Sequence, residues 1–273
     1  TYQAHFSLRS LNVITLFKII HKLLPTCSMF LILSNLQKYK IKIFQLMTQD
    51  TSDGSIIWKP RDIENLRHIE GAKLYSHAMF KIVLGRYFPT VKLFCEHYKY
   101  LCEMGFDGYV VHIPANIKMD YCVEFVKKMF KLAKAEIGGL KPVRVYFEHV
   151  PSEIYSLSAN MVKLANKLKS ANLALPIGLC IDTCHIYVSG VSPVSRLAMT
   201  EYITDIESAG LPYIIHLNDS VGEESSFVDR HDTLGNKIWK DDKSGLSYIK
   251  SLSCDKIIEL ADPEPSLKQL MIL

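Results

Sequence analysis

Short apolar runs alternate with amphipathic stretches along most of this chain, and together they predict alternating strands and helices. Runs rich in β-branched and aromatic residues predict strands at 4–8, 41–47, 72–76, 108–111, 143–147, 177–181, 212–215 and 255–258. Apolar residues at helical spacing predict helices at 11–24, 60–69, 91–104, 121–136, 158–168, 193–209 and near residue 270. Residues 25–40 are apolar but irregular and predict only a connection.

The repeated strand-then-helix order indicates a parallel sheet with helices packed against it. The strand predicted at 108–111 carries no charge, as expected of a strand that is covered on both faces. Eight such units without a break favour a closed (β/α)8 barrel, or TIM barrel, over an open sheet. Such a barrel takes about 250 residues, and this chain has 273. We therefore predict a single α/β barrel domain over residues 1–273.

Composition says more about the cellular compartment of the protein than about its chemistry. A net charge of +4 allows binding to a polyanion through a local patch but does not require it. Seven cysteines at irregular spacing argue against a disulfide framework and favour a reducing compartment. The apolar segment 11–33 contains Lys18, Lys22 and Pro25, which disfavours a membrane span. We expect a protein of the cell interior (cytoplasm, nucleus or a site of viral replication) that is neither secreted nor bound to a membrane.

Nine histidines and carboxylates follow the ends of successive predicted strands. They are His77, His112, Glu148, Asp182, His185, His216, Asp229, His231 and Glu259. A buried strand that ends in such a group has exchanged core packing for a costly polar side chain. Because the C-terminal strand ends of a closed barrel meet at one mouth, the repetition predicts a shared polynuclear metal site. Imidazole and carboxylate ligands suit zinc, and also manganese or iron.

Three segments among these residues closely resemble the signatures of one enzyme family. They are Asp182-Thr-Cys-His185, His216-Leu-Asn-Asp and Val-Asp229-Arg-His231. Together they resemble endonuclease IV, the trinuclear-zinc apurinic/apyrimidinic endonucleases, including the branch found in large DNA viruses. The resemblance covers residues 77–259 with every metal ligand in the family's order, and it is weaker before residue 70.

The resemblance implies three Zn²⁺ ions, for which Mn²⁺ or Fe²⁺ are substitutes. The first ion would be held by His77, His112 and Glu148. The second would share Glu148 and be completed by Asp182, His216 and Glu259. The third would be held by His185, Asp229 and His231. Glu148 would thus bridge two ions and be the residue central to catalysis.

The family's chemistry implies an incision reaction on damaged DNA. The bridged ion pair would share the hydroxide that attacks phosphorus, and the third ion would steady the phosphate and the departing 3′ oxygen. Cleavage 5′ to an abasic site in double-stranded DNA would leave a 3′-hydroxyl end. Extruding a nucleotide costs a few kcal/mol, and least where pairing is already lost, which makes an abasic site a sensible substrate. We expect a monomer that needs no protein partner.

Four residues are candidates for DNA contact. Gln49 and Phe80 lie in loops that we expect to enter the minor groove, and Lys81 can reach a phosphate. The family has a tyrosine and an apolar wedge where this chain has Phe80 and Lys81. Arg230 lies between two ligands and is a candidate for phosphate contact. The family's Leu-Gly-Glu-Gly after the last histidine is replaced by residues 234–237, Leu-Gly-Asn-Lys.

Other polar residues have competing interpretations. Asn218 and Asp219 either orient His216 or form a turn. The remaining histidines near strands are more simply structural than ligating, and these are His5, His21, His68, His97 and His149.

Two other functions compete with the nuclease. A sugar isomerase on the same barrel would use a quartet at strands five to eight for one divalent ion, namely Glu148, Asp182, His216 and Glu259. It would have no need of His77, His112 or the Asp229-Arg-His231 segment. A non-catalytic nucleic-acid binder should lack some ligands, and none of the nine is missing.

Overall fold

Eight parallel strands close into a barrel in the computed structural model, which describes residues 13–17, 42–50, 54–79, 82–85, 90–260 and 262–273. The strands in chain order are β1 (Val13–Phe17), β2 (Ile43–Met47), β3 (Lys73–His77), β4 (Gly108–Ile113), β5 (Arg144–His149), β6 (Ile177–Asp182), β7 (Tyr213–His216), β8 (Asp219–Ser220), β9 (His231–Asp232) and β10 (Lys256–Ile258). Strands β1 to β7 follow one another around the barrel, and β10 closes it between β7 and β1. Strands β8 and β9 form a separate antiparallel pair. The predicted closed α/β barrel is confirmed.

Helices follow most of the strands, as the alternating pattern predicted. The described helices are α1 (Pro60–Arg67), α2 (Thr90–Glu103), α3 (Met119–Ile137), α4 (Ser158–Ser170), α5 (Thr183–Val188), α6 (Arg196–Ser208), α7 (Ser244–Ser251) and α8 (Glu264–Ile272). Helices α5 and α7 were not predicted, because the first is a single short element and the second is only eight residues long. Among the described residues, no helix is both long and apolar enough to cross a bilayer.

The first predicted helix is wrong where the structure describes it. Residues 13–17 form β1, which pairs with β2 on one edge and β10 on the other. Val-Ile-Thr-Leu-Phe is uncharged and contains β-branched and aromatic residues, which favour a strand over a helix when both edges can be paired. The strand predicted at 4–8 lies outside the described residues.

The inside of the barrel is built in layers by the two-residue alternation of its strands. A lower, mostly apolar layer contains Ile43, Tyr75, Val110, Tyr146, Cys180, Ile214 and Ile257. Two residues further along each strand, the same inward face carries polar side chains, including Gln45 on β2 and His77 on β3. The intervening residues point outward into the larger core between strands and helices. The alternation therefore places a polar layer on an apolar floor at the C-terminal end of the barrel.

Two tyrosines fill the floor because glycines stand beside them. A Cβ at Gly108 would lie 2.6 Å from Cε1 of Tyr75, and one at Gly178 would lie 2.6 Å from Cε1 of Tyr146. The hydroxyl of Tyr75 donates to Asp255, which also pairs with Lys73 at 2.8 Å. The lower end of the barrel is thus closed by packed rings and an ion pair.

Replacement of Gly108 by alanine should destabilise the protein by about 1–3 kcal/mol, since the methyl group would overlap the Tyr75 ring. Urea unfolding followed by circular dichroism would measure this change. Gly139→Ala is the matched control, because a Cβ at Gly139 meets nothing within 4 Å. Equal stability of the two variants would contradict the packing described for the floor.

Candidate metal centre

The nine predicted ligands form one connected cluster at the C-terminal mouth of the barrel. Every member lies within 4.0 Å of another member, measured between ring nitrogen and carboxylate oxygen. Members come from β3, β4, β5, β6, β7 and β9, from α5, and from the residues that precede β9 and follow β10. The structure therefore brings together all nine side chains that the sequence pattern singled out.

Glu148 occupies the centre of the cluster and has no exposure to solvent. Its Oε2 lies 3.0 Å from Nε2 of His77 and 3.0 Å from Nε2 of His112. Its Oε1 lies 2.8 Å from Nδ1 of His216 and 3.7 Å from Nδ1 of His185. The two carboxylate oxygens thus face two different sets of imidazoles, which is the arrangement that a bridging carboxylate requires.

A second group surrounds His216. Its Nδ1 lies 3.2 Å from Oε2 of Glu259 and 3.9 Å from Oδ2 of Asp182. One ligand atom from each of Glu148, Asp182, His216 and Glu259 lies within 4.8 Å of the others. Such a cage of three carboxylates and one imidazole suits a divalent cation.

A third group lies toward the open side of the mouth. Oδ1 of Asp229 is 3.2 Å from Nε2 of His185 and 3.4 Å from Nε2 of His231. Asp182 joins this group to the second, since its Oδ2 is 3.5 Å from Nε2 of His231. Cys184 also comes within 4.8 Å of the ligand atoms of Asp229 and His231, a proximity that sequence spacing did not show.

The charges of neighbouring side chains determine the pKa values of the cluster members. Burial alone would lower the pKa of His185 and His231, but Asp182 and Asp229 outweigh it and raise these pKa values to about 10 and about 9. Burial would raise the pKa of Glu259, but the charge of His216 outweighs it and lowers the pKa to about 2. Without a cation, His185 and His231 therefore hold protons that offset the charge of the nearby carboxylates.

Neighbouring polar groups hold the cluster members in place. Asp182 caps the start of α5, where Oδ1 accepts from the backbone N–H of Cys184 at 2.7 Å and of His185 at 3.0 Å. The ring of His185 donates from Nδ1 to the carbonyl of His149 at 2.7 Å, which leaves Nε2 directed at Asp229. Such outer partners fix ring orientation at metal sites.

Asn218 and Asp219 have separate supporting roles. The amide of Asn218 donates to Oδ2 of Asp182 at 2.7 Å and accepts from the backbone N–H of Glu259 at 2.8 Å. Asn218 therefore links the side chain of Asp182 to the backbone of Glu259. Among the described residues, its side chain makes no hydrogen bond to His216. Asp219 accepts from the backbone N–H groups of Gly235 and Ile238, at 2.8 and 2.7 Å, and so shapes the loop after β9.

Gln45 is a site residue that the sequence pattern did not single out. Its side chain contacts both His216 and Glu259 from inside β2. The available signal was one amide within the apolar run Ile-Phe-Gln-Leu-Met. That signal identifies a buried polar group but not its partners.

Among the described residues, the histidines predicted to be structural are not members of the cluster, although the ring of His149 lies 5.8 Å from that of His185. His97 contacts Thr48 and the hydroxyl of Tyr109, and burial lowers its pKa to about 3. His149 points outward from the barrel and is buried, and His68 is exposed. His5 and His21 lie outside the described residues.

The candidate DNA contacts are only partly described. Phe80 and Lys81 lie outside the described residues. Gln49 is 3% exposed, and its amide donates to the carbonyl of Gly54 at 3.2 Å, so it stabilises its own loop. Arg230 is exposed beside Asp229 and His231. DNA contact by these four residues stays a prediction.

The residues of the cluster fit a metal centre. Nε2 of His231 is buried and has no hydrogen-bond partner among the described residues, although two carboxylates approach it. A ring nitrogen in this position is what a ligand to a cation requires. All nine predicted side chains offer nitrogen or oxygen, the donor set of hydrolytic zinc, manganese and iron sites.

Curated proteins with a related sequence carry endonuclease names. A probable endonuclease 4 of Protochlamydia amoebophila is 29% identical over 197 residues, which are 65% of this chain and 69% of that protein. A probable AP endonuclease of African swine fever virus is 31% identical over 214 residues, which are 68% of this chain and 69% of the viral protein. This chain belongs to the endonuclease IV family of AP endonucleases. Membership confirms the family indicated by the three motifs and the predicted class of metal-dependent phosphodiester hydrolases.

Solved structures support the fold of this endonuclease IV family member. The crystal structure of AsfvAP:AG has a TM-score of 0.71 and 22% identity, and covers 87% of this chain and 84% of that one. Endonuclease IV from Thermus thermophilus has a TM-score of 0.68 and 19% identity, and covers 89% and 92%. A xylose isomerase domain protein from Planctomyces limnophilus shares the barrel at a TM-score of 0.59 and 12% identity, and covers 96% and 95%. No protein-family model matches the sequence.

Binding of Zn²⁺ to the metal-stripped protein should release protons near neutral pH. The raised pKa values of His185 and His231 mean that both rings are protonated at pH 7, and ligation requires the neutral ring. Apparent affinity should therefore increase as pH rises toward about 9. Calorimetric titrations in buffers of different ionisation enthalpy would count the protons, and zinc binding without proton release would contradict the assignment of these histidines.

Proposed function

We propose that this protein hydrolyses the phosphodiester bond 5′ to an abasic site in double-stranded DNA and leaves a 3′-hydroxyl end. In this proposal it acts inside the cell as a monomeric barrel with three Zn²⁺ ions held by the nine clustered side chains. The observation that carries the proposal is the position of Glu148 between two sets of imidazoles. A single-ion enzyme would not need a carboxylate with both oxygens directed at separate ligand groups.

In this proposal the nine side chains divide into three ligand sets, two of which share Glu148. Glu148 belongs to the set with His77 and His112 and also to the set with His216. Zinc at these positions would offset the negative charge of a phosphodiester and supply a nucleophilic water at neutral pH. The chain itself supplies ligands that are already oriented, which lowers the reorganisation needed during the reaction.

Exposure defines the side from which a phosphate can approach. Glu148 and His216 are fully buried, whereas the side chains of His112, His231 and Asp229 are 23%, 18% and 46% exposed. The accessible members therefore lie on the solvent side of the cluster. Arg230 is on the same rim, where a guanidinium can contact a backbone phosphate.

A small cavity beside His112 supports selection of an abasic nucleotide. It has a volume of about 170 Å³ and is lined by apolar residues from the loops after β3, β4 and β5, including Met79, Ile82, Pro114 and Val150. This volume is below the roughly 300–1,000 Å³ of pockets that hold drug-sized ligands. A sugar without a base suits such a space better than a complete nucleoside does.

The sugar isomerase alternative is weaker on the same geometry. The quartet that such an enzyme would use is present around His216. His77, His112, His185 and Asp229 extend the cluster beyond this quartet, and a one-ion site leaves their contacts without a purpose. Relatives with endonuclease names at 29–31% identity also favour the nuclease.

The variant Glu148→Gln should lose incision of a synthetic duplex that contains one abasic site. The amide cannot supply two anionic oxygens to two ligand sets. We therefore expect the incision rate to fall by more than the roughly 10–100-fold that is typical when a residue supporting a metal ligand is replaced. Gel analysis of end-labelled duplex, with and without a chelator, would measure the rate and identify the product ends. Exposed Glu153→Gln is the matched control, and incision by Glu148→Gln at the parental rate would refute the role assigned to Glu148.

Removal of the Arg230 side chain should weaken binding to abasic and intact duplexes alike. Loss of one phosphate contact should reduce the slope of log affinity against log salt by about 1. Fluorescence anisotropy over a range of salt concentrations would measure this slope. Lys134→Ala is the control, because Lys134 is exposed in the last turn of α3, at the opposite end of the barrel. An unchanged slope for Arg230→Ala would exclude the phosphate contact.

A further inference from the structure

Gln45 is a fully buried amide whose two ends both contact the candidate metal centre. It lies on the inward face of β2, two residues beyond Ile43 in the apolar floor. Nε2 donates to Oε1 of Glu259 at 2.6 Å, and Oε1 lies 3.0 Å from Nε2 of His216. Burial of an amide without hydrogen-bond partners costs free energy. Both contacts therefore stabilise Gln45 in this position.

The carboxylate of Glu259 determines which way round the amide lies. An ionised carboxylate only accepts hydrogen bonds, so the NH₂ group of Gln45 has to face Glu259. The amide oxygen then faces His216, and it also only accepts. Nε2 of His216 must therefore carry a proton and donate it to Gln45.

This hydrogen bond selects one tautomer of the neutral His216 ring. With the proton on Nε2, the lone pair available for ligation is on Nδ1. That atom is 2.8 Å from Oε1 of Glu148 and 3.2 Å from Oε2 of Glu259. Because Gln45 engages Oε1 of Glu259, Oε2 is the oxygen left toward the same space.

We propose that Gln45 is a positioning residue that sets the tautomer of His216 and the orientation of Glu259, so that both present a ligand atom to one cation. This inference rests on the proposed function, since it concerns the ion that Glu148 and Asp182 would share with them. Partners that accept the second ring N–H of a ligating histidine typically change metal affinity by about 10–100-fold.

The first test compares zinc binding by metal-stripped parent, Gln45→Met and Ile43→Met in competition with a fluorescent chelator. Methionine matches glutamine in length but offers neither the donor nor the carbonyl acceptor. We expect Gln45→Met to lose about 10–100-fold in affinity for at least one ion. Ile43→Met alters the same inward face of β2 one layer lower and should keep the parental affinities.

The second test reads the tautomer directly and does not depend on activity. Long-range ¹H–¹⁵N spectra of the zinc-loaded parent, labelled at histidine, should show His216 protonated at Nε2. Gln45→Glu keeps an acceptor for His216 but sets a second carboxylate against Glu259. We expect this variant to retain the Nε2–H tautomer and to lose zinc affinity.

The outcomes separate this inference from the function on which it rests. A parent protein that binds no divalent ion would overturn the proposed function. A zinc-binding parent with His216 protonated at Nδ1 would overturn the role of Gln45, even if the Gln45 variants do not fold. Parental zinc affinity in Gln45→Met, or an equal loss in Ile43→Met, would also overturn that role and leave the nuclease proposal in place.

Discussion

A carboxylate with no access to water sits between imidazoles at the mouth of this barrel, and the surrounding structure follows from that constraint. An isolated buried charge is too costly to persist, so it must be paired or bound to a metal. Burial would raise the pKa of Glu148, but the charges of His216 and His112 outweigh it and hold the pKa well below its usual range. The ionised carboxylate in turn requires cationic or metal-bound partners on both oxygens, and the chain provides them from four different strands and helices.

The apolar floor makes this polar layer structurally possible. Tyr75 and Tyr146 fill the barrel below the cluster because Gly108 and Gly178 leave room for their rings. Among the described residues, packed rings and apolar side chains therefore lie beneath the cluster, and its exposed members are on the side of the mouth. A dry lower surface strengthens the electrostatic interactions above it, which suits the three-ion site that we propose.

The barrel is shared with proteins of other activities, so function has to be argued from the mouth. The xylose isomerase domain protein covers almost the whole chain at 12% identity, which concerns the fold alone. The distinctive feature is that the group of Glu148, Asp182, His216 and Glu259 is extended on two sides. His77 and His112 extend it across β3 and β4, and the segment around β9 extends it toward solvent. Asn218 holds this enlarged centre together, since it joins the Asp182 side chain to the backbone of Glu259.

Local residue patterns were enough to predict the barrel, most of its elements and all nine clustered side chains, because strand alternation and strand-end chemistry are properties of short segments. They were insufficient at residues 13–17, where helical spacing and a β-prone run coexist and pairing on both edges decides in favour of a strand. Only the tertiary structure revealed that Gln45 reaches His216 and Glu259, which are 171 and 214 residues away along the chain. Contacts at such separations depend on the register between strands around the barrel, which the spacing of residues within one strand does not encode.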